Sequence, residues 1–378
     1  MEDKFWPHKF ANGGHTRDLI APFSIEHDND YYRVLGEKYS LLIEFMRKNK
    51  APDEHIRYVK KYSDRVREVV RNYYNGNIST AHEQVKNLLK VISDNSLAVA
   101  NLYDSYAFLR GKGEIQFFRA RLSEGVCDYA AKDMMHIPYK CRVKTGSERF
   151  SIPGLPCLYL ANTSYCCWLE LDRPAEYRFN VSPFLLDGTQ KILNLAVSAN
   201  DVRYLNECEE TRVKTWLVLL VLMIATSFRV EENNRSFKSE YIVSQALMLA
   251  CRQLGIDGVA YYSKKVNDSR LAFPAINLAL IAKYERFKEY SPICEHLKAD
   301  DAYNYLVFKQ LSEAKKKSTY KLHVDYEGAL PISTGTFSRQ LDYKDTEFYL
   351  FDKYMFGGWN YSNMEWGQVT NTVQSEQF

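Results

Sequence analysis

The sequence predicts an α+β fold, and three observations carry that expectation. Short apolar runs such as Leu158–Ala161, Gly258–Tyr262 and Ile276–Ile281 have the length and composition of buried strands. Long stretches with apolar residues every three or four positions predict amphipathic helices. The two kinds of segment succeed one another without the regular alternation of a doubly wound sheet. The chain of 378 residues is 46% hydrophobic and 14% aromatic, so it can bury a sizeable core and is far from a disordered composition. Its 28 Tyr and 20 Phe suit ligand clefts and interfaces as well as cores.

Residues 1 to about 28 read as irregular, punctuated by Pro7, Gly13, Gly14 and Pro22. Helical periodicity then takes over. Leu35, Tyr39, Leu42, Ile43 and Met46 line one face of a helix from Tyr31 to Lys50. Ala51-Pro52-Asp53 opens a second helix, with Pro52 in its first turn, and Asn75-Gly76-Asn77 closes it. Thr80 and Glu83 have capping-box spacing for a third, and Leu97–Leu109 reads as a fourth, ending at Gly111-Lys112-Gly113. This region is either a helical bundle packed on the next domain or a partner-binding or homo-oligomerisation module.

From Ile115 the pattern mixes. Ile115–Arg121 and Leu158–Ala161 read as strands, with a loop over 127–148 between them. Ser164–Leu171 reads as a helix start capped by Thr163 or Ser164. FNVSPFLL and KILNLAV read as two strands split by Asp187-Gly188. Thr211–Phe228 is a buried helix, and Tyr241–Leu254 is an amphipathic one stopped by Gly255. Beyond 286 the chain is aromatic and weakly periodic. A helix is expected near 299–315, strands at Tyr320–Tyr326 and Glu347–Phe351, a turn at Gly357-Gly358-Trp359, and a polar, disordered last dozen residues. The expected division is an arm and helical region over 1–112, a catalytic domain over 113–285 and an extension over 286–378.

Fifty Lys and Arg against 47 Asp and Glu give a formal charge of +3, too balanced for a nucleic-acid or anionic-membrane binder. The apolar run Trp216–Ala225 is short of the ~20 residues that span a bilayer. The eight Cys form no CxxC pair and the eight His no HxxxH spacing, so no metal site is expected. With no leader-like start, a cytoplasmic, reducing setting is expected.

The stretch RFSIPGLPCLYLANTSYCCWLE carries a cation (Arg149), an aromatic (Tyr159) and an acid (Glu170) on apolar scaffolding. Such a set could line a pocket for an anionic, ring-bearing ligand. Taken alone, each residue also fits a bland role: loop charge, core tyrosine, helix-surface acid. The Cys166-Cys167 pair inside the stretch has no His near it in sequence to activate a thiol nucleophile.

Four stretches in order, FFRAR around Arg119, RFSIPGLPCLYLA from Arg149, CCWLEL with Glu170, and SEYIVSQ…GIDGVAYYSKK with Ser263, together resemble the RES-domain family. The resemblance implies a fold related to ADP-ribosyltransferases and, as in many members, a toxin that consumes NAD and pairs with an antitoxin protein. By position the family's arginine falls on Arg149, its tyrosine on Tyr159, its glutamate on Glu170, its serine on Ser263, and its first-strand arginine on Arg119. The long gap between Glu170 and Ser263, and the flanking stretches, depart from compact members. Cleavage of the nicotinamide–ribose bond passes through an oxocarbenium-like state. A carboxylate such as Glu170 stabilises it, guanidiniums such as Arg149 and Arg119 grip a pyrophosphate, Tyr159 packs on a ring, and Ser263 hydrogen-bonds ribose, phosphate or Glu170. NAD enters as substrate, with no cofactor. The expected reaction passes ADP-ribose to water or phosphate. The alternatives are transfer to a macromolecular acceptor, or an inactive interaction module. Gln245 reads as structural, and Lys140, Arg142 and Lys144 as a solvated charge run.

Overall fold

The run Trp216–Ala225 has no polar face, so it can only be covered on all sides. In the computed structural model it forms the end of the helix Glu210–Ala225, with Trp216 to Leu222 all buried. The structure describes residues 5–11, 17–19, 21–26, 30–106, 109–111, 114–126, 129–232, 235–265, 275–317, 331–333, 340–343, 346–357 and 367–368. The chain forms two compact units, each assembled from three stretches. The first takes Met1–Asn101, Thr145–Gly154 and Gln190–Arg270; the second takes Leu102–Lys144, Leu155–Thr189 and Leu271–Phe378.

In the first unit the amino-terminal helices Tyr31–Lys48 and Asp53–Tyr74 pack on that apolar helix, and Ile78–Lys90 packs on Ile242–Gln253. Two buried tyrosines on the first of these hydrogen-bond the apolar helix's backbone. Tyr31 Oη donates to Ala225 O at 2.7 Å and Tyr39 Oη to Val221 O at 3.1 Å. The strand Lys191–Leu195 runs antiparallel to Val99–Asn101 and parallel to Gly258–Tyr262. Gly255, at φ +70, stops the helix Ile242–Gln253 in the left-handed conformation that favours glycine.

Several expectations change here. The arm expected to be irregular contains a helix, Trp6–Ala11, too short to show a period. Trp6 is 2% exposed, donates from Nε1 to His55 Nδ1 at 3.2 Å and lies against Trp216. Pro52 is the N-cap, in extended conformation, rather than a first-turn residue. The third helix starts at Ile78, so Thr80 lies inside it and Glu83 pairs with Lys86. Leu97–Leu109 is not one helix. Val99–Asn101 pair with Leu193, Ile192 and Lys191, and among the described residues of that stretch only Leu102–Ser105 are α-helical.

In the second unit the strand Glu114–Leu122 lies antiparallel to Phe179–Leu186, with Arg119 opposite Ser182 and Arg121 opposite Asn180. On its other side Phe118 meets Ala161 of the strand Cys157–Ala161, which pairs in turn with Ile276–Ile281. Leu297–Ala299 and Tyr303–Asn304 flank Phe179–Leu186. The two strands expected on either side of Asp187-Gly188 form, Phe179–Leu186 and Lys191–Leu195, each with other partners, and the Asp187 carboxylate accepts from Thr189 N at the turn between them. The stretch read as a loop over 127–148 includes 3-10 turns at Ala131–Met134 and Tyr139–Lys144. The late helix is Tyr305–Lys317. Glu347–Phe351, expected as a strand, begins the helix Glu347–Met355, capped by the Thr346 hydroxyl, which accepts from Tyr349 N. Its buried residues Tyr349, Phe351, Asp352 and Met355 have helical spacing. Tyr320–Tyr326, the Gly358-Trp359 part of the expected turn and the last dozen residues lie outside the described residues. Among the described residues no helix is long and apolar enough to cross a membrane.

Candidate active site

In the second unit the chain leaves the strand Cys157–Ala161 and turns at Thr163 into the helix Ser164–Glu170. The Thr163 hydroxyl accepts from Cys166 N at 3.1 Å, as expected of an N-cap. The helix ends on Glu170, whose Oε1 accepts a hydrogen bond of 2.6 Å from Asn277 Nδ2. Asn277 sits in the apolar strand Ile276–Ile281, opposite Ala161, and is 4% exposed. Its Oδ1 accepts from the Cys166 thiol at 3.4 Å. One buried amide thus fixes the Glu170 carboxylate and satisfies the neighbouring thiol.

Burial pushes the Cys166 thiol well up, with the charge of Glu170 adding to it, and pushes Cys167 up as well. Both are neutral thiols at physiological pH, which removes the thiolate a cysteine nucleophile needs. Arg119 Nη1 donates to Tyr159 O at 3.0 Å, so the guanidinium is tied to the backbone of the strand that leads to Glu170. Burial, and then the charge of Arg121, push Arg119 down to about 10, still cationic at neutral pH. Tyr159 is the one partly exposed residue in a strand whose other four are buried.

The first unit holds Arg149 and Ser263. Arg149 is 9% exposed, and its Nη1 and Nη2 donate to Thr226 O and Phe228 O, both at 2.8 Å. Its guanidinium lies over the Tyr241 ring at 5.1 Å. Gln245, one helical turn on from Tyr241, holds the loop that carries Arg149: its Nε2 lies 2.9 Å from Ser147 Oγ, 3.0 Å from Glu148 O and 3.1 Å from Ser151 O. That is the structural role expected for it. The segment held by Arg149 is held again from Lys264, whose Nζ donates to Ser227 Oγ at 2.9 Å while Arg229 Nε donates to Lys264 O at 2.9 Å. Ser263, 1% exposed, precedes Lys264, and its Oγ accepts from Lys265 N at 3.1 Å. Arg149 and Lys264, the neighbour of Ser263, thus both bind residues 226–229, as Arg119, Tyr159 and Glu170 share the sheet and helix of the second unit.

Sequence reasoning missed Asn277 and Asp352. Asp352 is buried, accepts from Ser164 N at 3.1 Å and from the Tyr343 hydroxyl, and so ties the helix Glu347–Met355 to the start of the helix bearing Glu170. Burial pushes its carboxyl up to about 7. A lone polar residue in INLALI was the signal for Asn277, because a buried amide needs partners. Of the basic run, Lys140 pairs with Glu289 and Arg142 lies over the Tyr284 ring. Among the described residues no group of three His, Cys, Asp or Glu is placed to hold a metal.

Residues 117–299 match the family model described as RES domain. The chain is 27% identical over 308 residues to a Bacillus subtilis (strain 168) protein named "Putative toxin YopC", a match covering 76% of this chain and 66% of that protein. The chain therefore spans just under two thirds of that relative's length. Among solved structures, the M. tuberculosis MbcT-MbcA toxin-antitoxin complex matches over 60% of this chain and 97% of its own, with 13% identity and a TM-score of 0.30.

Proposed function

From the premise that this chain carries a RES domain over residues 117–299, we propose that it is a toxin that degrades NAD. The observation that carries the chemistry is the Glu170 carboxylate, held by one short bond from a buried amide and flanked by neutral thiols. A fixed carboxylate beside a sugar stabilises positive charge as it develops, without reorganising during the reaction. The C1′–N bond breaks with its electron pair leaving on nicotinamide. Glu170 stabilises the oxocarbenium-like ribose, and water or phosphate adds at C1′ and gives up a proton. Arg119 takes a phosphate oxygen and Tyr159 offers a ring face. Arg149 and Ser263 belong to the first unit, where Arg149 holds Thr226 and Phe228 and Ser263 accepts from Lys265 N. The relative's printed name supports the toxin reading, and the family resemblance supports a cytoplasmic setting and a protein antitoxin as partner.

The test is nicotinamide release from NAD by the purified protein, with and without inorganic phosphate. Wild type is expected to release nicotinamide, and Glu170→Gln, which can still accept from Asn277, to fall by at least about a hundredfold with an unchanged melting temperature. No release by the wild type in either buffer would sink the proposal.

A further inference from the structure

Arg119 is not the only guanidinium on its strand face. Residues two apart on a strand point the same way, so Arg119 and Arg121 stand side by side. Across the ladder their partners on that face are Ser182 and Asn180, whereas Ile115 and Phe117 face Leu186 and Phe184. One end of this sheet face is apolar and the other is polar and cationic.

Each guanidinium is held by a backbone carbonyl, Arg119 by Tyr159 O and Arg121 by Met135 O, both at 3.0 Å. Each also keeps a buried Nε with no hydrogen-bond acceptor among the described residues. Neither forms an ion pair with a carboxylate among those residues. Among the titratable groups acting on Arg119 are Arg121, two buried thiols and Tyr159. His136, also within range of Arg119, adds no negative charge: its Nε2 accepts from Ser291 N at 2.9 Å, its Nδ1 faces Ile137 O at 2.8 Å, and burial pushes it down to about 4.

Two adjacent, partly desolvated cations without a counter-ion among the described residues are costly to hold together. They are the arrangement that a multiply charged oxyanion relieves, since each guanidinium offers a planar fork of donors. We propose that Arg119 and Arg121 form a two-guanidinium site for a phosphate group, with Arg121 as a binding residue alongside Arg119. The proposal deepens the reading of this chain as an NAD-consuming enzyme and rests on it for the ligand's identity. The phosphate comes either from the pyrophosphate of the dinucleotide or from inorganic phosphate acting as acceptor.

The experiment measures binding by titration calorimetry, independently of turnover, with ADP, inorganic phosphate and adenosine as probes against wild type and Arg121→Met. ADP is expected to bind wild type and to bind Arg121→Met at least tenfold more weakly, with adenosine binding unchanged. If inorganic phosphate alone loses affinity in the variant, the site still stands and serves the acceptor. If the Met variant does not fold, Arg121→Lys keeps the charge but not the fork and is expected to show the same loss. Equal affinity of wild type and a folded variant for both anions, or no binding of either anion by wild type, would overturn the site. A weakened anion affinity in a protein that never cleaves NAD would leave the site standing and remove the catalytic reading instead.

Discussion

Arg149→Lys separates two jobs that one arginine can do. The guanidinium reaches Thr226 O and Phe228 O at once through two different nitrogens. Both acceptor residues are buried, at 2% and 0% exposure, so water cannot replace a lost donor. A lysine keeps three donors but on a single nitrogen of a different reach, so it cannot reproduce the two-nitrogen fork that faces both carbonyls, and at least one of them is left poorly bonded. A hydrogen bond to a charged group contributes about 1.5–3 kcal/mol, and stranding the acceptor keeps the loss near the top of that range. For a unit of this size about 2–3 kcal/mol corresponds to a fall of roughly 4–12 °C in melting temperature. The assay is a thermal melt of Arg149→Lys tracked by circular dichroism, run beside nicotinamide release. Both the melting point and the activity should fall. A variant that loses activity yet melts with the wild type would refute the anchoring role and put Arg149 on the ligand alone.

Gln245→Leu removes the pin from residues 147–151, two N–H donors shared among three acceptors, and should lower stability by about 1–2 kcal/mol. Activity should fall further than that loss of stability explains, and an unchanged rate would show that Arg149 needs no such support. Asp352 sets a pH dependence. Its carboxyl is raised from 3.8 to about 7 in the fold, so between those values the folded protein holds the proton more tightly than the unfolded chain. Its contribution is complete below about pH 4 and is lost as pH rises through 7, at about 1.36 kcal/mol per unit and about 4 kcal/mol in all. His136, lowered from 6.5 to about 4, runs the other way and gains stability over the same interval. Asp352→Asn removes the first effect and leaves the second. Measured by denaturant unfolding, stability relative to wild type should therefore climb in the variant's favour from pH 4 to pH 7, and a flat difference would count against the buried titration.

Much of the fold could be read from the chain because burial leaves a local trace. Gly258–Tyr262 and Ile276–Ile281 are apolar runs of strand length, Phe179–Leu186 alternates as a strand does, and all three form strands with those limits. The helix at Tyr31 was legible in the spacing of its apolar residues. Misreadings arose where a distant partner decides. Val99–Asn101 extend because Lys191–Leu195 offers them an edge. The aromatics of Glu347–Met355 suggested a strand, although their spacing was helical. At the site the residues that bear charge were visible and their partners were not. Asn277 lies 107 positions from Glu170, and the acceptors of Arg149 are carbonyls, which every residue possesses.

The packing of the amino-terminal helices on Glu210–Ala225 bears on how this protein can be divided. A fragment cut to the stretch that matches the family would contain the all-apolar run from Trp216 but neither Tyr31–Lys48 nor Asp53–Tyr74. It would also lose Tyr31 and Tyr39, whose hydroxyls dock on that helix's backbone. Such a fragment would present a bare greasy rod to solvent and be drawn into aggregation. The border drawn by resemblance is therefore not a border of folding. The helices Tyr31–Lys48 and Asp53–Tyr74 act as a built-in sleeve, and any truncation meant to isolate the matched stretch must carry that sleeve with it.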